Sequence, residues 1–181
     1  SVVGAPKEII ERLETLESLS LKVVMVAVNH PVNTDIQRVY SAGSDIPAHK
    51  IAINHNSSDW LRAQPHHGIM GELSYSDDKP LARPDLEAWF IESLVDLGIV
   101  QNPEQTILDT RVVDVKHGYP VPSFSRNEIV NEALDWLEER GIHSVGRFGQ
   151  WAYINSDEAM HRGFALGQAL RQSDSVKAAN Q

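Results

Sequence analysis

The chain has 181 residues and a formal net charge of −9, and its 41% hydrophobic content is enough to build the core of one compact domain or two small ones. The acidic balance opposes the phosphate neutralisation on which nucleic-acid binding depends, so no nucleic-acid partner is predicted. The chain contains no cysteine, which excludes disulfides, thiolate metal sites and a cysteine nucleophile.

The first residues, Ser1–Pro6, contain no basic region and no signal-like cleavage site, and they suggest the end of a strand from a longer polypeptide. The longest apolar run, residues 23–28, is far shorter than the roughly 20 residues that a membrane span needs. A protein without a membrane span, located by default in the cytoplasm, is the expectation.

The first half of the chain predicts one helix followed by several strands. Pro6 opens a helix whose apolar residues recur at helical spacing as far as Leu19. The β-branched run Leu21–Asn29 predicts a strand that is covered on both faces or lies at the centre of a sheet. Three shorter strands with turn-forming residues between them predict an antiparallel meander: Gln37–Ser41, Lys50–Asn54 and Ile69–Tyr75.

The next predicted helix, Asp85–Leu97, has one apolar side that would pack on this sheet, and Gly98 follows where helices commonly end. Residues 106–116 return to an extended pattern. The prolines in residues 117–122 then predict an irregular extended segment, because each proline restricts the residue before it.

The last third of the chain predicts two helices with a short strand between them. Ser125 and Glu128 have the spacing of a capping box, and Gly141 ends the helix that this box would open. His143–Arg147 predicts the short strand. The last helix begins at Ser156, with acidic residues in its first turn, and reaches Gln172. Together these elements predict an α+β fold, with helices packed on an antiparallel or mixed sheet.

The segment from Gly146 to Asp157 is the most informative part of the sequence. It joins the predicted short strand to the last helix through two glycines, which let the backbone approach a flat ligand closely. The helix N-terminus offers unpaired N–H groups that could donate to a flavin pyrimidine carbonyl. Gly163 and Gly167 lie one turn apart on that helix and would allow a partner to pack tightly. The same pattern also occurs in many folds without a ligand, and both interpretations stay open on these residues alone.

This segment resembles a motif of a known group of flavoproteins. Residues 147–157, with their continuation through Met160 and Gly163, resemble the C-terminal FAD-contacting motif of flavoproteins related to amine oxidases, protoporphyrinogen oxidase and UDP-galactopyranose mutase. The stretch from Tyr119 to Pro122, with the helix after it, looks like the segment that precedes this motif in the same families. Residues 1–19 are similar to the strand end and helix that enter the substrate domain of those chains.

The resemblance implies flavin contacts from eight residues: Arg147, Phe148, Gly149, Trp151, Tyr153, Asn155, Ser156 and Asp157. Residues 147–149 would lie along the flavin, and the backbone of residues 155–157 would contact its pyrimidine or ribityl end. Trp151 and Tyr153 would face the ring or a substrate.

The resemblance also implies a division of the chain. Residues 1–140 would form a substrate-domain-like α+β region, residues 141–172 the FAD-contacting strand, turn and helix, and residues 173–181 a frayed tail. The G-x-G-x-x-G turn that holds the pyrophosphate in those families is absent from this sequence. FAD binding is therefore expected only with a missing N-terminal FAD-binding half or a second polypeptide, and the isolated chain is expected to be inactive.

No other residue pattern predicts a chemical site. The histidines, among them His49, His55, His66 and His67, lack metal-ligand spacing and are interpreted as loop or surface residues, so no metal is predicted. No G-x-S-x-G segment supports a hydrolase triad. The sequence predicts no catalytic acid, base or nucleophile.

The predicted function is that of a part of an FAD-dependent oxidoreductase or flavin-dependent mutase acting on a small organic substrate, with the flavin carrying the chemistry. The alternative is a stand-alone acidic α+β binding or interaction module without catalytic activity. If the chain is complete, the Gly163 and Gly167 face should be exposed, and self-association into a homo-oligomer is expected.

Overall fold

The computed structural model describes residues 4–32 and 34–179, and it gives no side-chain description for residues 173–179. Residues 1–3 of the predicted strand end lie outside the described part of the chain, and residues 4–6 are not in a strand. The chain folds as two compact units. One unit is Leu19–Gly118, and the other combines the segments Ser1–Ser18 and Tyr119–Gln181 that flank it in sequence.

The Leu19–Gly118 unit is built on a five-stranded antiparallel sheet with the strand order β2-β3-β4-β1-β5. The strands are β1 (Ser18–Val28), β2 (Arg38–Tyr40), β3 (Lys50–Ile53), β4 (His67–Tyr75) and β5 (Ile107–Pro120). The predicted meander is confirmed, since β2, β3 and β4 are sequence neighbours that pair antiparallel. The predicted position of β1 inside the sheet is also confirmed, because β1 lies between β4 and β5 and pairs with β4 along nine residues.

The described helices are α1 (Lys7–Leu13), α2 (Asp59–Arg62), α3 (Leu86–Asp96), α4 (Pro103–Thr106), α5 (Arg126–Glu138) and α6 (Ser156–Ala179), with a 3-10 turn at Asn54–Ser57. Helix α3 ends before Gly98, whose φ of 68° is the left-handed conformation that glycine adopts most readily. These helices and the sheet confirm the predicted α+β class.

Helix α3 packs on one face of the sheet. Ile69 and Leu73 of β4 alternate with Gly71 and are fully buried on the face that meets α3. Phe90 and Leu94 supply the α3 side of this core. Gly71 leaves the space that the Phe90 ring fills, since a Cβ at Gly71 would collide with that ring.

The second unit joins α1 to α5 through ion pairs. The Arg12 guanidinium of α1 binds the carboxylates of Glu128 and Glu132 on α5. This pairing corrects the predicted capping box, because Glu128 bonds to Arg12 and the Ser125 side chain makes no cap hydrogen bond. The Glu128 carboxylate thus binds a distant arginine and not the backbone at the start of its own helix.

Several predicted boundaries are wrong for reasons of strand pairing. The first helix ends at Leu13 and not near Leu19, because β1 begins at Ser18 and pairs with β5. Residues 117–122, which were predicted to be irregular, take part in the same pairing. The Val121 amide donates to the Glu17 carbonyl at 2.9 Å. Strand β5 accordingly runs to Pro120.

The predicted strand at His143–Arg147 is also wrong. The structure describes all five residues and assigns no strand to them. An extended segment becomes a strand only where a neighbouring strand completes its hydrogen bonds, and these residues continue into a turn. Helix α6 continues to Ala179, past the predicted end at Gln172, since neither glycine nor proline interrupts residues 173–179.

Two histidines that were predicted to be loop or surface residues are buried. His55 is 1% exposed and His67 is 5% exposed, and their rings meet edge to face with centroids 4.9 Å apart. The His55 Nε2 atom accepts a hydrogen bond from the Val32 amide at 3.1 Å. The sequence pattern missed their burial because one polar ring in a short turn, at His55, and one at the first residue of a strand, at His67, give no periodic signal.

No described helix is long and apolar enough to cross a membrane.

The contact between Gly71 and Phe90 predicts a specific cost for a methyl group. We expect Gly71→Ala to lower the free energy of unfolding by about 1 to 3 kcal/mol, because the new Cβ forces the Phe90 ring out of its place in the core. Urea denaturation followed by far-UV circular dichroism measures the change. Gly68→Ala on the same strand is the control, because its Cβ would meet only Asn54 Nδ2 at an ordinary 3.7 Å. Equal effects of the two substitutions would contradict this account of the core.

The buried histidine pair predicts a loss of stability in acid. Burial lowers the pKa of both His55 and His67 from the ordinary value of 6.5. Below that pH the unfolded chain therefore binds more protons than the folded chain. Stability is therefore fully present above pH 6.5 and decreases as the pH falls below it. Urea denaturation between about pH 7.5 and about pH 5 measures the slope.

His55→Gln keeps an acceptor for the Val32 amide but cannot titrate, so the slope should become shallower. His161→Gln, at an exposed position of α6, is the control and should retain the wild-type slope. An unchanged slope in His55→Gln would show that the buried pair does not cause the pH dependence.

Candidate functional site

The segment singled out in the sequence forms a compact loop between α5 and α6. The Gln150 amide donates to the Gly146 carbonyl at 3.0 Å, and the Ala152 amide donates to the Arg147 carbonyl at 2.7 Å. Gly146 has a φ of 96°, a conformation that suits glycine. Residues 146–151 therefore make a hydrogen-bonded turn, and residues 152–155, in which the Ile154 amide donates to the Ala152 carbonyl at 2.9 Å, connect it to the start of α6.

Position 149 requires glycine because the backbone here lies very close to residues 144 and 145. A Cβ at this position would lie 2.5 Å from the Val145 carbonyl oxygen and 2.9 Å from Ser144 Oγ. The Ser144 hydroxyl donates to the Gly149 carbonyl at 2.8 Å and draws the two segments together. In this structure glycine at position 149 therefore allows the loop to pack against its own backbone.

Arg147 holds the two ends of the loop together. Its Nε and Nη2 atoms donate to the Ile154 carbonyl at 2.8 and 2.5 Å. The guanidinium also lies over the rings of Tyr119 and Tyr153, 5.3 and 5.4 Å from their centroids. Its charge is therefore balanced by a carbonyl and two aromatic faces, in the geometry of a cation–π contact.

Aromatic side chains line the exposed side of the loop. Phe148 is 48% exposed and its ring meets that of Trp151 at 6.1 Å, while Tyr153 is 64% exposed. Rings of this kind offer flat apolar surface to a planar ligand. The structure thus brings three of the predicted residues, Phe148, Trp151 and Tyr153, to one loop.

Residues 155–157 lie where α6 begins, and all three are exposed. The first amides of a helix have no partner within the helix, so this end can donate hydrogen bonds to a ligand. Asp157 and Glu158 place negative charge in the same turn, and Glu158 pairs with Arg162 at 2.6 Å. The acidic first turn favours a neutral acceptor over an anionic one.

Sequence reasoning missed Arg126. This residue begins α5, and its Nε atom donates to the Trp151 carbonyl at 2.8 Å while Nη2 donates to the Gln150 carbonyl. No local pattern could have revealed it, since about 25 positions of sequence separate the arginine from these carbonyls.

A small cavity of about 220 Å3 lies beside the loop. Its lining residues are Pro120, Pro122, Arg126, Trp151, Ala152, Tyr153 and Ile154. These described residues include no carboxylate and no imidazole, so the lining is suited to binding a group and not to general acid–base chemistry.

Outside the loop, two groups of charged side chains have pKa values shifted by structural hydrogen bonds and ion pairs. On the sheet, Asp114 accepts hydrogen bonds from Lys22 and Tyr75, which lowers the pKa of Asp114 and raises the pKa of both donors. Arg83 similarly lowers the pKa of Asp85 and Glu92 by hydrogen bonding. The described residues contain no group of three or more side chains that could hold a metal ion.

No family model matches the chain. The chain is similar to a number of solved structures, of which two are examples. One is a reduced UDP-galactopyranose mutase, with 24% sequence identity, a TM-score of 0.69 and 79% of this chain covered. The other is a protein from Exiguobacterium sp. 255-15, provisionally assigned as a protoporphyrinogen oxidase, with 11% identity, a TM-score of 0.53 and 76% of this chain covered.

These similarities show the fold. Both groups were named in the resemblance drawn from the sequence, which is confirmed at the level of the fold. The match covers 31% of the length of each solved chain.

The close approach at Gly149 predicts a local effect of a methyl group. Gly149→Ala should destabilise the unit that contains it by about 1 to 3 kcal/mol, because Val145 and Ser144 must move away from the new Cβ. Urea denaturation followed by tryptophan fluorescence measures the effect.

The matched control is Gly163→Ala on α6, where a Cβ would meet nothing within 4 Å. There the substitution should stabilise the helix by about 0.5 to 1 kcal/mol, since alanine is the better helix former. The two substitutions should therefore have opposite signs, and a neutral Gly149→Ala would refute the tight turn.

Proposed function

We propose that this chain is the substrate-side region and C-terminal flavin contact of an FAD-dependent oxidoreductase or flavin-dependent mutase. The observation that carries the proposal is the loop at residues 146–157. It combines a hydrogen-bonded turn around Gly149, exposed aromatic rings and the exposed N-terminus of α6. The fold that the chain shares with the two solved structures supports the same proposal.

The residues present fit a flavin in shape and polarity. Phe148, Trp151 and Tyr153 would pack along the ring system, and the backbone of residues 155–157 would donate to a neutral pyrimidine carbonyl. The acidic first turn of α6 suits such a carbonyl better than a phosphate. When bound, the flavin would supply hydride transfer or assist an isomerisation, and the protein would supply orientation and electrostatics.

Arg147 and Gly149 have an indirect part in this proposal. The Arg147 guanidinium binds the Ile154 carbonyl between two tyrosine rings, and Gly149 permits the turn. Both residues would act on the cofactor by fixing the shape of the loop. Residues 141–172 would then be the cofactor-contacting part, and residues 1–140 the substrate side, which would bind a small organic molecule.

The pyrophosphate of FAD would be held by an N-terminal dinucleotide-binding half or a second polypeptide. The exposed side of α6, with Met160 and Phe164 beside Gly163 and Gly167, would pack against that part. A glycine pair one turn apart permits the close approach of another backbone.

The first experiment is to purify the protein from its native gene without truncation and to record its intact mass and visible absorbance. A polypeptide longer than 181 residues, or a complex, with bound flavin is the expected result. A colourless 181-residue product that takes up no added FAD would exclude the proposal and favour the stand-alone binding module.

The ring contact predicts an effect of one side chain on cofactor affinity. In the intact flavoprotein, Phe148→Ala should weaken FAD binding about three- to tenfold, because an aromatic face against the flavin is lost. Titration of the apoprotein with FAD, followed by flavin fluorescence, measures the dissociation constant. Phe124→Ala removes the same atoms from a fully exposed position outside the loop and should leave the constant unchanged. Equal constants for both variants would exclude Phe148 as a contact.

A further inference from the structure

Trp151 has a backbone conformation that a tryptophan seldom adopts. Its φ of 43° lies in the left-handed region, which is crowded for any residue that carries a Cβ. Within the described chain, only Asn102 shares this feature among residues other than glycine. A strained residue persists only where surrounding contacts hold it, and such residues concentrate at functional sites.

Arg126 contacts the backbone on both sides of this residue. The Gln150 carbonyl belongs to the peptide group before the Trp151 Cα, and the Trp151 carbonyl belongs to the peptide group after it. The guanidinium donates to both, through Nη2 and Nε. Because the guanidinium is a rigid plane, these two bonds fix the relative orientation of the two peptide groups, and with it the φ and ψ of Trp151.

The Arg126 side chain starts from a well-anchored helix. Arg126 is the first residue of α5, which is anchored by buried Ile129, Val130 and Ala133. Its third nitrogen, Nη1, donates to Asn127 Oδ1 at 2.6 Å. The side chain is half-buried, so its hydrogen bonds meet less competition from water than bonds at an exposed position would.

The loop also restrains these two peptide groups with its own bonds. The Trp151 amide donates to the Phe148 carbonyl at 3.3 Å, which is long, and the Ala152 amide, in the peptide group after the Trp151 Cα, donates to the Arg147 carbonyl at 2.7 Å. Arg126 adds a charge-assisted bond to each of the two groups, and only Arg126 links them through one rigid plane.

We propose that Arg126 is a positioning residue that holds Trp151 in the left-handed conformation and so sets the direction of Phe148, Tyr153 and the start of α6. The positioning of a flavin by this means rests on the proposed function. The restraint on Trp151 does not, and it can be measured without a cofactor.

The test measures amide hydrogen exchange at residues 150–155 in the 181-residue chain. Arg126→Ala should speed exchange there about ten- to a hundredfold, as expected for the loss of two charge-assisted hydrogen bonds. Arg126→Lys has a single ammonium nitrogen in place of the planar guanidinium, so it should keep part of the protection that Arg126→Ala loses. Arg140→Ala is the matched control, since Arg140 also donates to a carbonyl, that of Trp136, and lies outside the loop.

A double-mutant cycle separates this role from general stabilisation. Glycine adopts the left-handed conformation without strain, so in a Trp151→Gly background Arg126→Ala should change the protection of the loop much less, by about threefold or under. Equal effects of Arg126→Ala in both backgrounds, or exchange no faster than in Arg140→Ala, would overturn the proposal.

The same variants in the intact protein test the link to the cofactor. Arg126→Ala should weaken FAD binding and alter the visible circular dichroism of the flavin, with partial rescue in Arg126→Lys. If the loop loosens but no form of the protein binds FAD, the restraint on Trp151 stands and the proposed function fails. If FAD binds equally to all variants while the loop loosens, the flavin proposal stands and the positioning role fails.

Discussion

The shape of the loop at residues 146–155 depends on donors for its main-chain carbonyl groups. Outside helices and sheets no regular ladder satisfies these groups, and leaving a shielded carbonyl unpaired is costly. Two arginines supply the donors: Arg147 binds the Ile154 carbonyl, and Arg126 binds those of Gln150 and Trp151. Gly149 permits the turn, main-chain bonds and Ser144 close it, and the two arginines bind three further carbonyls that restrict it to one conformation. The surface left for a ligand is consequently neutral and aromatic, which is the character that the proposed flavin contact requires.

Much of the fold could be predicted from the sequence, because its signals are local. The β-branched run at Leu21–Asn29 has the composition of the strand that it forms, and the apolar side of Asp85–Leu97 has the periodicity of a helix. The predictions failed where a distant partner decides the structure. Glu128 has the spacing of a capping box but bonds to Arg12, and His143–Arg147 has an extended pattern but no strand beside it in the described chain. The contact between His55 and His67 depends likewise on how the 3-10 turn at Asn54–Ser57 meets the first residue of β4.

The candidate site was predictable only in part for the same reason. Its glycines and the start of α6 can be found from residue type and order, and the structure places Phe148, Trp151 and Tyr153 in one loop. The partners of the loop cannot be found in this way. Nothing near Arg126 in the sequence indicates that it reaches Gln150 and Trp151, and the pairing of Tyr119 with Tyr153 around Arg147 joins residues more than thirty positions apart.

The two units differ in how far their apolar surface is covered within the described residues. The sheet unit encloses a core in which Phe90 fills the space over Gly71. Helix α6, in contrast, leaves Met160 and Phe164 largely exposed beside two glycines without neighbours. A helix in water gains most of its stability from packing an apolar face, so α6 would be stabilised further by a surface that covers this side. In the proposed function that surface belongs to the dinucleotide-binding half. Its docking would steady the first turn of α6, the same turn whose free amides would meet the flavin, so cofactor binding and assembly of the two halves would reinforce each other.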